Sequence, residues 1–207
     1  MRRSIVMRDG LRELRESLAW ILAIFLLINV FGGVYYLRID FVRGLGFLLG
    51  VLLGFIFHEL AHRSVARRLA CTSRFTIDLT SVLFTSSIAL IQNIMLMFTG
   101  RGLPFIIALP GYVMSFCGFL PRSGEGLIAF AGPLTNIMIS ILSMLIATLI
   151  SSPRELVYIL EAIYRVNVLL ALFNLIPIPP LDGFKIARWN LLIWFLLIMI
   201  GLALLML

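Results

Sequence analysis

Long apolar runs broken by short polar and basic clusters divide the chain into candidate membrane spans. Met1 to Ser17 holds five arginines together with Asp9, Glu13 and Glu16, and predicts a short amphipathic lead-in on the cytoplasmic side. Leu18–Leu37 follows as a first span, close to the roughly 20 residues a helix needs to cross the hydrocarbon. No small-x-small exit follows it, so it reads as an anchor and not as a cleavable signal. Arg38 to Arg43 is a tight external turn. Leu45–His62 is a second span that runs straight into Arg63, Arg67, Arg68 and Arg74. By the positive-inside rule, the N-terminus and the end of this span lie in the cytoplasm.

Between residues 71 and 126 the pattern changes. Arg74 to Asp78 alternates polar and apolar, which predicts a short strand. Ser81–Phe98 is uncharged and long enough to span. Leu103–Leu120 is apolar but cut by Pro104, Pro110-Gly111 and Gly118, and predicts an extended or re-entrant segment, tolerated at membrane depth only where it is buried in protein or lines a wet cavity. Leu127–Ile150 and Leu156–Ile176 are further spans. Glu161 and Arg165 in the latter stand i, i+4 and are expected to neutralise each other inside the bundle. Pro177 to Arg188 reads as a proline-rich cytoplasmic loop, and Trp189–Leu207 as a last span. For both loops to face the same side, residues 71–126 must cross an even number of times: either 81–98 crosses and 103–120 returns, or neither crosses fully. The fold class is therefore an all-α polytopic membrane protein of about six transmembrane helices, with a short membrane-associated β or re-entrant segment. Residues 1–207 form a single domain, its core at 45–190, an anchor span at 18–37 and a C-terminal span at 189–207.

Composition agrees, with hydrophobic residues at 61% and charged residues at 13%, half the charged share of a soluble domain. The net charge of +7 comes from arginines that flank apolar runs, where they orient spans and meet lipid headgroups, so no nucleic-acid partner is expected. Cys71 and Cys117 are too few and too far apart in sequence for a disulfide framework or a cysteine zinc site, and Cys71 reads as a small apolar residue. Gln92 and Asn93 read as helix-packing groups.

The chemistry concentrates at His58-Glu59-Leu60-Ala61-His62, which holds both histidines of the chain. On a helix the i, i+4 spacing puts both imidazoles on one face, ready to grip one metal ion. Glu59, between them, could take a proton from a water activated by that ion. A catalytic zinc site needs a third protein ligand, and without another histidine a carboxylate or cysteine must supply it. Asp182 stands out: the prolines before it stop the helix and Gly183 permits a sharp turn at the cytoplasmic level of the histidines.

Three motifs in order, HELAH at the end of a span, Phe130-Ala-Gly-Pro-Leu-Thr-Asn136 in a later span, and Asn174-Leu-Ile-Pro-Ile-Pro-Pro-Leu-Asp182-Gly183 closing the next, resemble the site-2 protease family of intramembrane zinc metalloproteases. The resemblance covers about residues 45–190 and is of the compact type without PDZ or CBS modules. It implies one Zn²⁺ per chain held by His58, His62 and Asp182, with Glu59 as catalytic base. Asn174 matches an asparagine that positions substrate or stabilises the oxyanion, and Asn136 one that faces the site. Ala108–Val113 looks like the family's membrane-associated β segment, whose edge can pair with an unwound substrate. The implied activity is cleavage of a peptide bond in or near a transmembrane segment of a membrane-protein substrate, as in regulated intramembrane proteolysis. The implied place is a cell membrane, with the active-site opening toward the cytoplasm. The other class open to these residues is a non-proteolytic metal transporter or zinc-holding scaffold, which has no need of Glu59 as a base.

Overall fold

The computed structural model describes residues 2–103, 108–109, 111–150 and 153–207, with side chains described from Arg15 onward. Helix α1 (Arg2–Val30) runs unbroken from the polar lead-in through the first apolar run. It stops where Gly32 takes a left-handed φ of 72°, a conformation that glycine adopts without the steric cost of a Cβ. The chain restarts as α2 (Gly33–Ile39), turned by 60°. The expected straight span over 18–37 is thus a bent one, and a Cβ on Gly32 would lie 2.5 Å from Leu96 of α4 (Leu79–Thr99).

Asp40 caps α3 (Phe41–Arg68), accepting from the Arg43 amide at 3.1 Å. Along α3, Gly46, Gly50 and Gly54 recur every fourth residue, and the same face continues into His58 and His62. A Cβ at Gly46 would stand 2.7 Å from Ala162, at Gly50 3.0 Å from Val166 and at Gly54 2.7 Å from Asn167 Oδ1. Bare backbone on this stripe lets α6 (Arg154–Asn174) approach closely, the way helices pack where no hydrophobic effect drives them together.

β1 (Thr72–Thr76) and β2 (Tyr112–Phe116) form an antiparallel pair with Thr72 opposite Phe116 and Thr76 opposite Tyr112. The strand starts and ends two residues earlier than the alternation predicts, because Asp78 is taken as the cap of α4, accepting from the Ser81 amide at 2.9 Å and hydroxyl at 2.7 Å. One step beyond the pairing, Cys71 meets Cys117 in a disulfide with Cα atoms 4.5 Å apart. This corrects the reading of Cys71 as a plain apolar residue. Strand register, not sequence spacing, brings the two cysteines together.

α4 is long and apolar enough to span, and the chain then runs back beside it. The Leu103 amide donates to Gln92 Oε1 at 2.6 Å, the Leu109 amide to Thr85 Oγ1 at 3.1 Å, and Tyr112 reaches Thr76. Buried polar groups on α4 thereby satisfy backbone that leaves regular structure. The described parts of the following segment thus lie antiparallel to α4, from Gln92 at Leu103 back to Thr85 at Leu109. Pro104 and Pro110, two of the expected breaks, lie outside the described residues. Asn93 packs as expected, donating to Asn29 O at 3.1 Å and to Ala89 O at 2.7 Å.

α5 (Arg122–Leu149) and α6 complete the spanning core. The loop expected at Pro177–Arg188 contains a helix, α7 (Asp182–Trp189). The last apolar helix, α8 (Leu191–Met206), has 16 residues, shorter than a full crossing at 1.5 Å per residue. Trp194 Nε1 binds Leu175 O at 2.8 Å and Tyr164 donates to Leu204 O, which fixes α8 along α6. Among the described residues, four helices are long and apolar enough to cross a membrane, five if the bent pair α1–α2 counts as one span, against the six expected. The chain is a multi-pass membrane protein. Glu161 and Arg165 are both exposed and make no ion pair with each other; they stand on the outer face of α6. Arg63, expected only to mark topology, instead pairs with Glu16 and lies over the Trp20 ring at 5.3 Å. Glu16 also accepts from the Phe75 amide at 3.2 Å, so this cluster ties α1, α3 and β1 together beside the histidines.

α6 stands between two apolar clusters. One joins α1, α3, β1 and α4 around Leu27, Val51, Phe75 and Val166; the other joins α5, α7 and α8 around Ala129, Val168, Leu175 and Ile186. The polar groups at their meeting point are the candidate site.

Candidate metal centre

His58, Glu59 and His62 lie on α3, each 5% exposed. Their partner comes from the start of α7. Gly183 makes this possible: a Cβ there would fall 2.1 Å from Leu175 O and 2.7 Å from Ile176 O, so only a residue without one lets α7 pack against the end of α6. That contact carries Asp182 to the histidines. His58 Nε2 and His62 Nε2 are 3.0 Å apart, and Asp182 Oδ2 is 3.3 Å from the first and 3.1 Å from the second.

The triangle has the size of a metal site. Three atoms bound tetrahedrally to one ion at about 2.0–2.1 Å lie roughly 3.3 Å from one another. The far nitrogens are also disposed for it. His62 Nδ1 is 2.6 Å from Ile128 O, which can only accept, so the proton is on Nδ1 and Nε2 presents a lone pair. His58 Nδ1 meets Asn136 Oδ1 at 2.5 Å. Lone pairs therefore converge with a carboxylate, an arrangement that repels itself without a cation among the three atoms. Space is kept for one: a Cβ on Gly132 of α5 would lie 2.4 Å from His62 Nε2 and 2.5 Å from His58 Nε2. Two neutral imidazoles and a carboxylate with a further position open is a donor set of catalytic zinc.

Pro133 stands inside α5 and leaves the Ala129 carbonyl without its helical donor; the carbonyl one residue before, that of Ile128, is the one that receives His62. Glu59 points into the same region without being a member of the triangle. Its Oε2 is buried and has no hydrogen-bond partner among the described residues, leaving it able to accept a proton from a water or substrate group.

The site opens into a cavity of about 450 Å³, walled by His58, Glu59, His62 and Asp182 on one side and by Gly111 and the β2 residues Tyr112 to Ser115 on another. Asn174 stands on this wall, its Nδ2 bound to Leu170 O at 2.9 Å. Asn136 is fully buried behind His58 instead of facing the cavity. All six residues singled out from sequence are thus placed, four of them around the metal triangle. Three contributors went unread: the Ile128 carbonyl, the bare Gly132 and Asn167 of α6, which bonds Asn136 at 2.9 Å. The four-residue spacing of glycines leading into His58 signals the close approach of another helix on that face, without saying which.

A buried triangle of two histidines and an aspartate near the end of a spanning helix, with an unpartnered carboxylate beside it, fits a membrane-embedded metal-dependent hydrolase. The comparisons agree. Peptidase family M50 matches residues 151–206, the stretch with Asn174 and Asp182 but not the histidine motif. A protein of Methanocaldococcus jannaschii, provisionally named a zinc metalloprotease, is 37% identical over 148 residues, 71% of each chain. No solved structure matches. The chain belongs to peptidase family M50 and is a metallopeptidase.

Proposed function

We propose that this chain is an intramembrane zinc metalloprotease that cuts a peptide bond in or near a transmembrane segment of a membrane-protein substrate, as in regulated intramembrane proteolysis. The observation that carries the proposal is a buried ligand triangle, with an orphaned carboxylate beside it, opening into a cavity lined by β2. One Zn²⁺ per chain, held by His58, His62 and Asp182, would acidify a water and polarise the substrate carbonyl. Glu59 takes the proton and returns it to the leaving amine. Asn174, on the cavity wall, is placed to donate to a carbonyl in that space. β1 pairs with one edge of β2, and Tyr112 to Ser115 of β2 line the cavity; an unwound substrate strand would pair with the edge that β1 leaves open. The basic run Arg63–Arg74 puts this end of α3 on the cytoplasmic side. A transporter or scaffold has no use for a proton-accepting carboxylate one residue from a ligand, so Glu59 favours hydrolysis.

A helical substrate hides its carbonyls in hydrogen bonds and must unwind before attack. Vesicle-reconstituted protein should therefore cut a transmembrane peptide with a Gly-Pro break near its cytoplasmic end much faster than one of uniform leucine. Equal rates on the two peptides would count against strand-like presentation, and no cleavage of either against proteolysis.

A further inference from the structure

The two histidines are held by different means. His62 leans on a backbone carbonyl, which cannot change its role. His58 leans on the side-chain amide of Asn136, which could turn over and offer its NH₂ group instead of its oxygen. In that case His58 Nδ1 would have to accept, its proton would move to Nε2, and the nitrogen facing Asp182 would lose the lone pair that a metal needs.

A second buried amide opposes this. Asn167, fully buried on α6, donates from Nδ2 to Ile163 O at 2.8 Å and to Gly50 O at 3.3 Å. Both partners are backbone carbonyls and can only accept, so the orientation of Asn167 is fixed and its Oδ1 faces Asn136. Asn136 Nδ2 spends its two hydrogens on Asn167 Oδ1 at 2.9 Å and Gly54 O at 3.1 Å. Only its Oδ1 remains for His58, at 2.5 Å. The polarity of the chain is set at its carbonyl end and read out at the imidazole.

We propose that Asn167 is a positioning residue that acts through Asn136 to hold His58 as the Nδ1–H tautomer, keeping Nε2 open to the metal. Turning Asn136 over would set its oxygen against two acceptors, Gly54 O and Asn167 Oδ1. Without Asn167 only one opposes the turn, and one amide hydrogen of Asn136 is left buried and unbonded, which is costly. The close approach of α6 across the glycine stripe brings Asn167 within reach. This inference rests on the reading of His58 as a metal ligand.

The test exploits the presence of only two histidines. Metal-free protein labelled with ¹⁵N-histidine in detergent gives two imidazole patterns, assigned with a His62→Ala chain and read at a pH raised until neither ring shows the imidazolium signal. Wild type should show both as Nδ1–H. Asn167→Leu should shift His58, and not His62, toward Nε2–H, and should weaken Co²⁺ or Zn²⁺ binding by about 10–100-fold, as loss of outer support to a ligand does. Asn167→Asp keeps an oxygen facing Asn136 in either protonation state and should restore both readouts close to wild type. Wild-type His58 found as Nε2–H would overturn the proposal, even if Asn167→Leu failed to fold. So would an Asn167→Leu chain with unchanged tautomer and metal affinity, or an Asp variant as weak as the Leu one. These readouts need no cleavage: a protein that holds the tautomer and the metal but cuts no peptide would sink the proteolytic reading and leave this one standing.

Discussion

Purified Asp182→Ala protein should retain less than roughly a tenth of the metal that wild type holds, while keeping its fold. Asp182 supplies the only charge in the ligand triangle, and its Oδ2 stands 3.1–3.3 Å from both Nε2 atoms. Without it two neutral imidazoles remain, too few for a catalytic site, which takes three protein ligands. The fold should survive because α7 is held by other contacts: Gly183 against the end of α6, and Ile186 buried in the apolar cluster of α5, α6 and α8. Metal analysis together with a thermal melt checks both halves. A variant with full metal content would move the third ligand elsewhere; one that has lost its fold would show Asp182 to be structural.

Glu59→Gln should do the reverse, keeping one zinc per chain while cleavage of a transmembrane peptide falls by about 10²–10⁴-fold, the share typical of a positioned proton-transfer group. Glutamine has the same shape, and Glu59 is not among the three ligand atoms, so the metal has no reason to leave. What changes is the buried Oε2, which lacks any hydrogen-bond partner among the described residues. As an amide, the group can no longer take a proton from water. Metal content and cleavage rate, measured on the same preparation, separate binding from chemistry. Wild-type turnover by the glutamine chain would remove Glu59 from the mechanism.

What could be read from sequence was what repeats locally or is chemically rare. The apolar runs locate the spans, and the two histidines with a glutamate between them locate the chemistry. Asp182 could be picked out because prolines and Gly183 surround it. Features created by contacts distant in sequence stayed hidden. Cys71 and Cys117 are 46 residues apart and meet only once β1 and β2 pair. Asn167 looks like any span asparagine until α6 lies against α3. Gly32 and Gly33, a glycine pair of the kind that marks turns, bend a run whose length alone reads as one straight span. α7 hides in what reads as a proline-rich loop, because Pro177, Pro179 and Pro180 all lie ahead of it. α8 reads as a full span because its apolar run begins inside α7.

Zinc dependence of peptide cleavage in the bilayer tests the central claim most directly. Vesicle-reconstituted wild-type protein should stop cutting a transmembrane peptide when its metal is chelated, and should recover on addition of about one equivalent of Zn²⁺ per chain. Cleavage that continues at full rate in protein shown to be metal-free would contradict a metalloprotease built on His58, His62 and Asp182.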